Sequence, residues 1–600
     1  MKSIRAAIGW AAVGPSWTVL ALVLAAWLPG CASTAPPKAV TEPHESGAST
    51  VVAEIALKRG DCKGASESYA KAAAAGTAVS LARRASEVAL ACEHLPAAWQ
   101  AVSRWRALAP DDREATALYA AVALKLYRMP EARAAIVEFS HEKAPADSVR
   151  DAGLPTLAAL LLEHSDASTV LTAMGGALES ENASPETLAL LGELSLDSFD
   201  SRRAQRYAEE ALQRDGKDFA AMRVLARAYV MHGDAPKAIA TARMAMSTGG
   251  TQGAFELAEI LAALDRIEEA HQELERLRNT SAPASEVDRR LALLALDSGD
   301  LGEAQQRFRE LAANGEAGDA SLLYLADIAA RDGDPDAALA GYRKLADSAV
   351  ALPARSRAAA LLMARNDRTG ALTLLDDYIA SHPESEFDLT LTKARLLADH
   401  GDADMGLSLL VAALDRHPSH PSIEYDRAVI LERAGRVRDS VEVLEKLLVQ
   451  RPDDPVLTNA LGYTLADHNL ELPRAESLIQ RALTASPDSP AILDSLGWVR
   501  YREGDATGAV PMLARAYSIQ HDSEIAAHWG EVLWASGAHQ EARRVWAAAL
   551  ARDPASQPLK STLARFIHDA NEAKDSHAPA TTQQQAAPPS GVLKNRQETQ

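Results

Sequence analysis

Small and apolar residues return along this chain at an interval of about thirty-four. In the C-terminal third, Asn459-Ala-Leu-Gly-Tyr-Thr-Leu465 reappears as Asp494-Ser-Leu-Gly-Trp-Val-Arg500 and again as Ala527-His-Trp-Gly-Glu-Val-Leu533, so that Gly462, Gly497 and Gly530 stand 35 and 33 apart. Arg500 occupies a place in this block where an apolar residue is expected. Prolines recur once per period at Pro383, Pro418, Pro452, Pro487 and Pro554, with His521 in the remaining place. A proline removes a backbone donor and ends a helix, so each marks the boundary between two units.

The same interval runs through the turns. A short turn between paired helices is expected at Gly60, Glu93, Tyr127, Glu163, Phe199, Gly233, Asp265, Gly299, Gly333, Asn366, Gly401, Gly435, Leu470, Gly504 and Gly537, with spacings of 32 to 36. Five residues after each stands a small side chain: Ala65, Ala98, Ala132, Ser168, Ala204, Ala238, Ala270, Ala304, Ala338, Ala371, Gly406, Ser440, Ala475, Ala509 and Ala542. A small residue there lets the second helix of a hairpin approach the first closely. Between Tyr127 and Glu163 the Gly-Asp turn signature is missing.

A helix–turn–helix unit of this length, with glycine, alanine and proline in these places, resembles the tetratricopeptide repeat. The resemblance implies an all-α fold, an α-solenoid of about fifteen hairpins over residues 51–570. One hairpin cannot bury its apolar face alone, whereas stacked hairpins share a continuous core. The first helix of each pair then forms a concave face. By this register the C-terminal part of that face presents Tyr425, Asn459, Tyr463, Asp494, Trp498, Tyr501 and Trp534. Accessible aromatics are frequent interface anchors, so this set is the expected partner-binding groove. Trp529, Trp546 and Phe566 are expected to pack between repeats.

The ends of the chain do not share the pattern. Lys2 and Arg5 precede an apolar stretch, Thr18 to Leu28, and then Leu28-Pro29-Gly30-Cys31. A charged start, an apolar segment and small residues before the cut describe a secretory signal over residues 1–30. The cysteine directly after them resembles a bacterial lipobox, with Cys31 the lipidated first residue of the mature chain. The uninterrupted apolar part is about half the ~20 residues a membrane span needs, which argues against an uncleaved anchor. Ala32, where an aspartate would imply retention at the inner membrane, implies sorting to the outer membrane with the body facing the periplasm. Residues 31–50 read as a flexible tether, and residues 571–600, with three consecutive glutamines, as a disordered tail.

Composition narrows the functional classes. Apolar residues make up 47% and aromatics 5%, which favours helix over strand. With 82 acidic and 62 basic side chains the net charge is −20, a balance that repels phosphate backbones, so nucleic acid is not an expected partner.

The candidates for chemistry are few. Asp332, Asp334 and Asp336 have the alternation of a calcium loop, but Ala337 and Arg343 stand where glycine and glutamate are required, and helix capping explains the aspartates. His417 and His420 flank a proline and lack a third ligand, and read as exposed loop histidines. No phosphate loop, nucleophile elbow or paired-histidine helix occurs in the sequence. The expectation is no enzyme, no cofactor, no metal and no small-molecule substrate. Cys62 and Cys92 stand beside successive turns, on one rim of the stack. A disulfide in an oxidising compartment and two separate core thiols both fit that placement.

Lipobox, tether and repeats together resemble the proteobacterial outer-membrane tetratricopeptide lipoproteins that serve as adaptors of a periplasmic carboxyl-terminal processing protease. The blocks around Leu461-Gly462-Tyr463 and Leu496-Gly497-Trp498 carry the likeness. It implies a scaffold that recruits the protease and presents cell-wall hydrolases to it. The alternative is a structural assembly factor for an outer-membrane secretion or pilus system.

Overall fold

The computed structural model describes residues 44–141, 153–180, 183–280, 282–315, 318–553 and 556–576. The signal segment and Cys31 lie outside these residues. Among those described are thirty α-helices and a short 3-10 segment at Pro383–Ser385, with no strand. The helices pair into antiparallel hairpins, and each packs on the next along the chain. Helical structure runs from His44 to Ser576, past both bounds of the solenoid, 51 and 570, read from the sequence. Within His44–Lys58, Ala53 is fully buried in the core it shares with Ala65 and Tyr69, which draws that helix into the stack. Among the described residues no helix is long and apolar enough to cross a membrane.

Short signals start and stop the helices. Aspartates accept backbone N–H groups at the first turn, as Asp334 does from Ala337 and Asp505 from Gly508. Thirteen of the fifteen expected turns have their residue in the left-handed region, from Gly60 (φ 72°) to Gly537 (φ 89°). The two exceptions are displaced. Glu163 lies inside the helix Gly153–His164, and the next helix is capped by Asp166, which accepts from Thr169. At Leu470 the left-handed residues are its neighbours, Asn469 and Glu471.

The small residues sit at tight helix crossings, and fourteen of the fifteen are buried. A Cβ on Gly406 would lie 2.6 Å from the Ala394 carbonyl oxygen, a separation that no side chain tolerates. Ser168 is the exception, half-buried because the late turn shifts the register there; Val170 and Met174 fill the interface instead. One long helix, Ala235–Ala263, joins two repeats across a break at Gly250 (φ 55°). Close beside the break, a Cβ on Gly253 would lie 2.4 Å from the Ala245 carbonyl oxygen, so glycine permits both the bend and the close approach.

The solenoid coils far enough for its own rims to meet. Turns of the N-terminal half touch loops and helix ends of the C-terminal half. Phe199 accepts a hydrogen bond from the Asp488 amide at 2.9 Å, and the Lys125 carbonyl accepts one from Arg451 at 2.8 Å. These contacts span roughly ten repeats or fewer in sequence and form a seam between successive gyres.

Candidate partner-binding groove

Successive first helices lie side by side, and ionic contacts tie several of them to the next. Arg223 reaches Glu193 at 2.6 Å, and Arg227 reaches Glu256 at 2.7 Å and Glu259 at 2.9 Å. The ladder continues through Asp327 with Arg357, Arg395 with Asp426, and Glu531 with Arg565. The partners stand about six and about nine residues before their turns, so the first-helix face carries paired charges at several of its helix-to-helix junctions. Burial beside Glu193 pushes the Asp197 carboxyl up to about 6, despite Arg227 and Arg223 nearby.

The C-terminal end of this face is aromatic. Trp498 and His528 stack at 4.3 Å, Trp498 and Tyr501 tilt together at 5.4 Å, and Tyr463 lies 6.4 Å from His528. His528 also contacts Asp494 at 2.9 Å. Burial disfavours the His528 cation, but the Asp494 carboxylate outweighs it and holds the imidazole up at about 9. The Trp498 indole N–H donates to Asp467 at 3.0 Å. Burial raises the Tyr463 hydroxyl well above its ordinary value.

Three of the expected groove residues, Tyr463, Asp494 and Trp498, therefore gather around His528, and Tyr501 lies against Trp498. Tyr425 is half-buried on the helix Pro421–Arg433 and packs against the core. Asn459 is 2% exposed, and its side-chain oxygen lacks a hydrogen-bond partner. Trp534 joins a separate C-terminal cluster, stacked on His539 at 4.3 Å and on Trp546 at 5.8 Å.

An open aromatic stripe was expected, yet Trp498 is only 5% exposed and Tyr463 9%. Neighbouring first helices approach closely, so a ring on one covers the next. His528 and Asp467 were not singled out from the sequence. Their signal was present as polar residues at the groove register of successive repeats.

The remaining candidates resolve geometrically. Cys62 and Cys92 form a disulfide, with Cα atoms 5.4 Å apart. Asp334 caps its helix. His417 and His420 are not exposed but 2% and 4% accessible, because they lie in the seam between gyres. Each meets a carboxylate there: His417 meets Glu386 at 3.0 Å and His420 meets Glu93 at 3.1 Å. One group among the described residues could gather around an ion, namely Glu432, Asp467 and His468, with ligand atoms within 4.8 Å of one another.

Residues 190–251, 289–352 and 391–455 match the tetratricopeptide repeat family model. Each matched stretch falls on consecutive helical hairpins. The chain is similar to a TPR repeat-containing protein of Pseudomonas aeruginosa, 30% identical over 213 residues. That match spans 36% of this chain and 36% of the relative, about a third of its length. Among solved structures, a thermophilic TPR protein of Thermus thermophilus shares 23% identity, with a TM-score of 0.28, over 30% of this chain and 97% of its own. A tetratricopeptide repeat protein of Parabacteroides merdae shares 16% identity, with a TM-score of 0.31, over 42% and 98%. The matched stretches coincide with hairpins that build the stack, and over those residues the chain is similar to tetratricopeptide repeats.

Proposed function

We propose that this chain is a lipid-anchored scaffold facing the periplasm, whose first-helix face holds protein partners and brings them together. Tetratricopeptide repeats are protein-interaction modules, and the observation that carries the reading is the unbroken succession of first helices forming one long lined surface. Leu28-Pro29-Gly30-Cys31 supports the anchor, and Ala32 the outer membrane. The likeness to protease-adaptor lipoproteins favours a processing protease and its cell-wall hydrolase substrates as partners. The reading is of a binding protein, not an enzyme, and the repeat fold supports it.

Fractionation of the Cys31→Ser chain tests the anchor. The variant is expected to leave the membrane fraction, and unchanged partition into detergent would refute it. Affinity purification from crosslinked membranes tests the partner. Recovery of a processing protease supports the adaptor reading, and recovery of secretion or pilus components without a protease contradicts it.

A further inference from the structure

The seam between gyres has an unusual chemistry on its N-terminal side. Five turns reach it through their left-handed residue: Gly60, Glu93, Tyr127, Phe199 and Asp265. Four of these are not glycine. The other turns carry glycine at Gly233, Gly299, Gly333, Gly401, Gly435, Gly504 and Gly537 and asparagine at Asn366 and Asn469, with Glu471 a charged exception beside Asn469. Left-handed backbone is unfavourable for residues with a bulky or charged side chain. Glu471 apart, the chain accepts that strain in bulky or charged turn residues where the turns touch the other gyre.

Each strained residue makes a contact there. Glu93 accepts from His420 at 3.1 Å, and the Tyr127 ring centroid lies 5.5 Å from the Arg451 guanidinium. Asp265 lies 3.6 Å from Arg552, and Phe199 offers its carbonyl to Asp488. Two further bonds strengthen the Phe199 station: the Ser201 amide and hydroxyl both donate to Asp488, the amide at 3.0 Å. Lys63 donates to the Asp415 carbonyl at 2.9 Å, and Arg331 to that of Arg552 at 2.8 Å. These stations are hydrogen bonds, ion pairs and a cation–π contact. The apolar clusters, by contrast, are built from helices near one another in sequence. In a repeat stack stability resides in each unit and its neighbours, so contacts between distant units can break while the units persist.

We propose that the seam is a clasp: the gyres part along it with every repeat intact, and its closure restricts entry to the first-helix face. The consequence for entry rests on the reading of that face as the binding surface; the clasp itself does not. Glu93 and Asp488 are its two main stations. Both lie outside the repeat cores, and both join residues about three hundred apart.

Hydrogen exchange on the full chain tests this through the Glu93→Gly and Asp488→Ala variants, singly and together. Glycine suits the left-handed turn better than glutamate, so Glu93→Gly keeps the turn while removing the seam contact together with the Glu93–Lys125 ion pair inside the same gyre. If the seam is a clasp, segments around Phe199–Arg203 and Ser486–Ser489 exchange at least tenfold faster in the double variant. The thermal midpoint of the helical signal then falls no further than in Lys125→Met with Arg515→Met, which breaks only the ion pairs inside each gyre. Unchanged exchange would overturn the proposal, because the gyres would then be held by something else. A midpoint lowered further than in Lys125→Met with Arg515→Met would also overturn it, since the seam would then belong to the cooperative core. Both readouts stand whether or not the first-helix face binds a partner.

Discussion

His420 donates its Nε2–H to Glu93 across 327 residues of chain, while its Nδ1 accepts from the Ser422 amide at 3.3 Å. The neutral imidazole thus bonds at both nitrogens, capping its own helix and holding the opposite gyre. A protonated ring has no acceptor left for Ser422.

That arrangement predicts an acid-sensitive seam. Burial holds His420 below its ordinary value against the pull of Glu93, with Lys125 and His417 adding to the depression. Burial also lowers His94, which caps its helix with the same nitrogen, and together with Lys125 holds His164 down at about 4. Glu93 and Glu386 resist their own burial and are held at about 2, Glu93 by His420 and Lys125, Glu386 by His417 and Arg416. Asp388, raised by burial beside Glu93, acts in the opposite sense. A depressed imidazole contributes to closure above its free value near 6.5, a contribution lost as pH falls below it. Seam amides are therefore expected to exchange faster at pH 5.5 than at pH 7.5 after correction for intrinsic rates. Equal corrected rates would contradict the assignment.

The groove pair has the reverse sign. His528 is raised to about 9, so its contribution is complete below about 6.5 and disappears as pH rises through 9. Thermal unfolding between pH 6.5 and 9.5 should show a stability loss that Asp494→Asn largely removes. Parallel curves for the two proteins would show that the pair is not the source.

Tight crossings predict overpacking. Ala509 is buried against Leu513 and Val532, and a Cβ on Gly497 would come within 2.6 Å of Leu513. Ala509→Leu should destabilise by about 1–3 kcal/mol. An unchanged thermal midpoint would mean that the second helix is not held close there.

The disulfide links residues 30 apart at the first two repeat turns. Cys92→Ser should lower the stability of the N-terminal repeats by about 3–4 kcal/mol on chain-entropy grounds. Denaturant unfolding of the variant, compared with the parent under oxidising conditions, reads the difference.

The repeat period was legible because its determinants are local. A left-handed turn, a small residue five places on and a proline at the boundary all act within one hairpin. Legibility failed at Glu163 because the helix runs on to His164 and the next begins at the Asp166 cap, so the turn falls later than the period places it. The seam was not legible, since nothing near His417 or His420 announces a partner some 320 residues away. Placing Trp498 on the first-helix face was sound, but periodicity does not reveal how closely the next helix covers it. With its indole bonded to Asp467 and its ring on His528, truncation to alanine now carries a stability penalty of about 3–5 kcal/mol, which the open-groove expectation did not include.

The claim on which the functional account turns is that partners are held by the first-helix face. Site-specific photocrosslinking in cells tests it most directly, with the reactive residue at half-buried Tyr501 on that face or at exposed Lys446 on a second helix. The account predicts discrete crosslinked protein species from position 501 and none, or far fewer, from position 446. Crosslinks concentrated at 446, with position 501 silent, would contradict it.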